Sequence, residues 1–184
     1  MSDPRSDRQL VAAMNAGGPA AAAAFEALYL RYRDWVVALA YRFTGDRDLA
    51  LDVMQETFLY VLRKTPGLAL TAAFKTFLYP AVRHLAITAC QKRGRLVSDD
   101  QALAALPATD APASSDLGAA LAEVPGIAGL PAGQREVLIL RFVDDLPLAE
   151  IALALGLPLG TVKSRLHNAL ESLRRDPRTK AHFD

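Results

Sequence analysis

At 184 residues, the chain allows one domain or two small ones, since domains run to roughly 100–200 residues each. Alanine (34) and leucine (29) far outnumber valine (11) and isoleucine (4). Ala and Leu favour helices and β-branched residues favour strands, so the fold is expected to be all-α and not a β-sandwich or barrel. The net charge of +1 is unevenly spread: residues 1–95 hold 13 basic and 8 acidic residues, 96–130 hold 5 acidic and no basic ones, and 131–184 hold 8 and 7.

A basic first half beside an acidic middle suits a nucleic-acid ligand or a charged partner, and equally a simply solvated surface. A single cysteine, Cys90, allows no internal disulfide, and His84, His167 and His182 are too scattered for a histidine metal site. No metal or cofactor is expected. No nucleotide-binding loop or nucleophile–base pair stands out, so an enzyme is not expected. The start, MSDPRSDRQL, lacks an apolar signal core, and no stretch reaches the ~18 apolar residues of a membrane span. A cytoplasmic protein without membrane insertion is the expectation.

In chain order, Ser6 and Gln9 form a capping-box pattern that opens a short helix ending at Gly17-Gly18. A long helix over 20–44 follows, with Phe25, Leu28, Tyr32, Trp35, Val36 and Leu39 at three- and four-residue spacing. Gly45 ends it, and Asp46 is the expected N-cap of a third helix over 47–64. Thr65-Pro66-Gly67 breaks the chain, and Thr71 is the expected cap of a fourth helix over 72–93. Each helix has an apolar stripe, so residues 1–95 are expected to form one compact bundle.

The third helix carries two stripes. Leu49, Val53, Phe58 and Val61 suffice for the core. Asp52, Gln55, Glu56 and Leu59 recur at i, i+3, i+4 and i+7, which is either a solvated face or a docking surface for a basic partner with Leu59 as its apolar anchor. The fourth helix ends in Arg83, His84, Lys92, Arg93 and Arg95, downstream of Phe74, Phe77 and Tyr79. Rings near cations suit single-stranded nucleic acid. The same pattern also arises from core aromatics and a basic helix C-terminus.

Residues 96–130 are rich in Ala, Pro, Ser, Asp and Gly without aromatic or basic residues, and read as a flexible acidic linker with a short helix near 116–123. Beyond it, Leu130-Pro131 through Val143 forms a supporting helix. The run LPLAEIALALGLPLGTVKSRLHNALESL (146–173) then gives helix, glycine turn and helix, with Ile151, Ala152 and Leu155 facing Val162, Leu166, Ala169 and Leu170 across Gly156. That is a helix-turn-helix pattern. Its second helix turns Thr161, Lys163, Ser164, Arg165, His167 and Asn168 outward, donors and cations suited to base edges and phosphates.

The two halves together resemble a known family. LPAGQREVLILRF…LPLAEIALALGLPLGTVKSRLHNALESLR resembles region 4 of bacterial RNA polymerase sigma factors. FEALYLRYRDWVVALAYRFTGDRDLALDVMQETFLYVLR resembles their region 2, including a D-x-x-Q-E-T-F core at Asp52, Gln55, Glu56, Thr57 and Phe58. Two such domains with only a linker between them resemble the extracytoplasmic-function (ECF) type of the sigma-70 family. The resemblance implies a region 2 four-helix bundle at 1–95, a linker at 96–130 and a region 4 helix-turn-helix domain at 131–184.

It further implies a transcription initiation factor whose partners are core RNA polymerase (the β′ clamp helices and the β flap), promoter DNA and an anti-sigma factor. Asp52, Gln55, Glu56 and Leu59 would then meet the polymerase. Phe74, Lys75, Arg83, His84, Lys92 and Arg93 would meet the −10 element and help open it. Lys163, Ser164, Arg165, His167 and Asn168 would meet bases of the −35 element, with Thr161 and Arg141 on phosphates. The chain departs from the family pattern in the fourth helix: Pro80 stands where an Arg is usual, His84 where an Asn is usual, and Phe77 where a Trp is usual. A sigma-like decoy that binds an anti-sigma factor, and a stand-alone helix-turn-helix regulator, are the alternatives.

Overall fold

The structure, a computed structural model, describes residues 3–98, 126–127, 129–177 and 179. These residues form two compact units, and they contain seven helices and no strand. The linker helix expected near 116–123 lies outside them.

The first unit holds α1 (Asp7–Ala16), α2 (Pro19–Thr44), α3 (Arg47–Arg63) and α4 (Phe74–Ser98). The local signals act as the sequence implies. Gln9 N–H donates to Ser6 Oγ at 3.3 Å and Ser6 N–H donates to Gln9 Oε1 at 2.8 Å, closing the capping box of α1. Gly45 ends α2 with a left-handed φ of 62°, and its N–H donates to Tyr41 O at 2.8 Å. Asp46 caps α3, its Oδ1 accepting from Asp48 N–H at 2.9 Å and Leu49 N–H at 3.0 Å. Thr71 does not cap α4. The helix opens three residues later, with the N–H of Phe77 donating to Ala73 O.

The four apolar stripes meet in one core that includes Leu28, Val36, Leu39, Val53, Phe58, Val61, Leu78 and Val82. Aromatic pairs link the helices: Phe58 of α3 meets Tyr29 of α2 edge to face at 4.9 Å, and Phe74 of α4 meets Tyr32 at 5.0 Å. Helix α4 runs through Pro80, whose exposed position keeps the ring out of the core. The chain before α1 is tied to α2 by Arg31, which pairs with Asp7 at 2.6 Å and donates to the carbonyls of Asp3 and Arg5. The loop after α3 is held by Asn15 of α1, which accepts from the N–H groups of Gly67 and Leu68 and donates to Leu68 O.

The second unit holds α5 (Ala132–Phe142), α6 (Leu148–Leu155) and α7 (Leu159–Arg175). Its core begins ahead of the expected boundary at 131, because Ile127 and Leu130 are buried with Leu138 and Ala169. At the other edge of the linker, α4 carries helix to Ser98, past the expected end of the first domain at 95. Between α6 and α7, Gly156 adopts φ 63°, ψ 35° and donates to the carbonyls of Ala152 and Leu153, which makes the tight turn of a helix-turn-helix. Ile151 and Ala154 are the buried residues of α6. Ala152 and Leu155, also expected to face α7, are only half-buried.

Candidate partner and nucleic-acid interfaces

On α3, burial separates the two stripes, although Leu49 of the expected core set is only half-buried. Val53, Phe58 and Val61 are buried, whereas Asp52, Gln55, Glu56 and Leu59 are all exposed, Leu59 to 43%. Leaving a leucine in water forgoes part of the 1.5–3 kcal/mol that roughly accompanies burial of such a side chain. Two leucines beyond the expected set share this face: Leu51 and Leu62 are about as exposed as Leu59. With Gln55 and Leu59 they follow an i, i+4, i+8, i+11 spacing, the signal that would have found them. The face is thus an apolar line flanked by Asp48, Asp52 and Glu56, with Arg63 3.4 Å from Glu56 in a solvent-exposed pair.

Along α4, Arg83, His84 and Lys92 are exposed. Lys75 is half-buried with its Nζ 5.6 Å from the centroid of Trp35, a cation–π contact across to α2. Arg93 is exposed but ion-paired to Asp46, the N-cap of α3. The Asp46 carboxyl is held below the usual carboxylate range, first by the Leu49 N–H and then by the Arg93 guanidinium.

In the second unit, Val162 and Ala169 of α7 are buried and Leu166, Leu170 and Leu173 half-buried, so the helix packs by one side. Lys163, Ser164, His167 and Asn168 are exposed together on the other. Thr161 is half-buried in the first turn, its N–H donating to Pro158 O at 2.9 Å. An exposed stripe of a cation, a hydroxyl, an imidazole and an amide on the second helix of a helix-turn-helix can enter a major groove and address base edges.

The chain is similar to known proteins. The family description "Sigma-70 region 2" matches residues 28–96 and "Sigma-70, region 4" matches residues 126–175. The chain is 30% identical over 162 residues to the ECF RNA polymerase sigma factor SigW of Bacillus subtilis, covering 80% of this chain and 85% of that one. The chain belongs to the ECF sigma factors of the sigma-70 family. Two solved structures share the fold. CnrH in complex with the cytosolic domain of CnrY is matched with TM-score 0.64 at 21% identity, covering 97% of both chains. The sigma factor RpoE of Bartonella quintana, solved with the anti-sigma factor NepR, is matched with TM-score 0.56 at 25% identity, covering 83% of this chain and 98% of that one.

This sigma factor does not present every expected residue at its surface. Phe74 is 0% exposed, closed in by Tyr32 and by Phe77, whose ring centroid lies 5.9 Å away. It is a core residue and offers no surface to a −10 base. Arg141 donates to Leu146 O at 3.3 Å and lies 3.7 Å from Asp145, so it braces the turn between α5 and α6. Arg165 is half-buried on the flank of α7, against α5. Arg95 carries α4 onward, but its side chain lies outside the described residues. No helix among the described residues is long and apolar enough to cross a membrane.

Proposed function

We propose that this ECF sigma factor docks on core RNA polymerase through the outer face of α3, with Asp52, Gln55, Glu56 and Leu59, joined by Leu51 and Leu62, meeting the β′ clamp helices. The observation that carries this is the pairing of three exposed leucines with three carboxylates on one helix face that the bundle leaves uncovered. An apolar line can anchor a partner helix while the acids select a basic one.

On α4 the exposed Arg83, His84 and Lys92, with the half-buried Lys75, face the −10 element, and capture of its unpaired bases shifts the duplex toward the open state. Lys163, Ser164, His167 and Asn168 of α7 read the −35 element, with Thr161 and the free N–H groups of the first turn on a phosphate. The second unit also meets the β flap. The domains are the bundle at 1–95, the acidic linker at 96–130 and the helix-turn-helix domain at 131–184, with the edges widened as described above. The chain works in the cytoplasm, catalyses nothing itself and needs no metal or cofactor. An anti-sigma factor is a further partner, a reading supported by the NepR complex of the Bartonella relative.

The test is run-off transcription from a random promoter library with purified bacterial core polymerase and this chain. Transcripts that share two boxes support the proposal. Core binding without promoter-specific transcripts makes the chain a decoy, and absence of core binding makes it a stand-alone helix-turn-helix regulator.

A further inference from the structure

The cation of α7 that does not face outward is Arg165. At about 100° per residue, the exposed Lys163, Ser164, His167 and Asn168 share one arc, and Arg165 falls beyond its edge on the side of α5. Its guanidinium rests against Gly133 in the first turn of α5. A Cβ placed at Gly133 would stand 2.9 Å from Arg165 Nη1, 3.1 Å from Cζ and 3.5 Å from Nε. Gly133 is not among the glycines with positive φ, so its backbone does not require glycine. Glycine is a poor helix former, and here its missing side chain leaves room for the arginine. The same two helices also meet at Leu138 and Ala169, in the unit's core cluster.

We propose that Arg165 is a positioning residue for promoter reading and not a base reader. Seated on Gly133, it sets the angle of α7 against α5, and the outward side chains of α7 carry the base contacts. This rests on the second unit being the −35 reader. A misplaced reading helix weakens all its contacts together, whereas loss of a base reader relaxes the choice at one base pair.

The test uses the full chain with core RNA polymerase on promoters with a randomised −35 box, comparing wild type, Arg165→Ala, Gly133→Ala, the double variant and Asn168→Ala. Arg165→Ala and Gly133→Ala are each expected to lower transcript yield by about three- to tenfold, with the base preference at every −35 position unchanged. The double variant is expected to be no worse than the poorer single one. Gly133→Ala is expected to keep or raise the melting midpoint while yield falls, which a simple loss of fold would not do. Asn168→Ala is expected to flatten the preference at one position. Flattening at one position by Arg165→Ala overturns the proposal, as does an unchanged yield with Gly133→Ala. If wild type itself selects no −35 box, the reading of the second unit fails instead.

Discussion

Asp46 and Arg93 are 47 residues apart and meet as an ion pair that joins the start of α3 to the last part of α4. The same Asp46 carboxylate caps α3 by accepting from Asp48 and Leu49. One side chain therefore fixes where α3 begins and where α4 passes it. Asp46→Ala is expected to destabilise the first unit by about 1–2 kcal/mol, the usual cost of losing an Asp cap. Arg93→Ala removes an exposed pair and should cost less than about 1 kcal/mol. Urea melts of the two variants check the order.

The pair also has a pH signature. The Asp46 carboxyl is held low in the folded chain, so its stabilisation is complete above the unfolded carboxylate range and is lost as pH falls through the folded value. Asp46→Asn keeps the cap but removes the charge. Wild type should be the more stable of the two at pH 7, and the gap should close below about pH 4. Thermal melts across that range test it; a gap that widens with acid contradicts it.

Phe74 separates a core role from a nucleic-acid role. It is enclosed by Tyr32 and Phe77, so Phe74→Ala is expected to cost about 3–5 kcal/mol of stability, the range for emptying a buried ring site. A Phe74→Ala chain that melts like wild type but fails to open promoters would contradict the placement.

Gly156 makes the turn between α6 and α7 at φ 63°, with open space around a Cβ built there. Only backbone strain opposes a side chain, so Gly156→Ala is expected to cost about 1 kcal/mol. Gly156→Asn should recover part of it, because Asn tolerates the left-handed region. The melting of the second unit reads both.

What the sequence made legible was mostly local. The capping box at Ser6, the cap at Asp46 and the turns at Gly45 and Gly156 each depend on neighbours a few residues away, and each stands where expected. The exposed stripe of α3 was legible because helical spacing alone separates Asp52, Gln55, Glu56 and Leu59 from the core set. What spacing could not show was the far partner of a long side chain. Arg93 reaches Asp46, Arg141 the Leu146 carbonyl and Arg165 lies against Gly133. Phe74 shares its pattern with surface aromatics, and its contacts with Tyr32 of α2 and Phe77 show it to be core. Asn15 reaches Gly67 and Leu68 more than 50 residues away, a tie that no local pattern announces.

Promoter-directed transcription is predicted to run through the outer face of α3. The most direct measurement is run-off transcription by core polymerase with wild type and with an Asp52→Lys, Glu56→Lys variant, on a promoter selected by wild type. Both sites are exposed, so the variant should melt as wild type does. Promoter-specific transcripts are expected from wild type, and their loss, together with loss of core binding, in the variant. Equal transcription by the two proteins would contradict it.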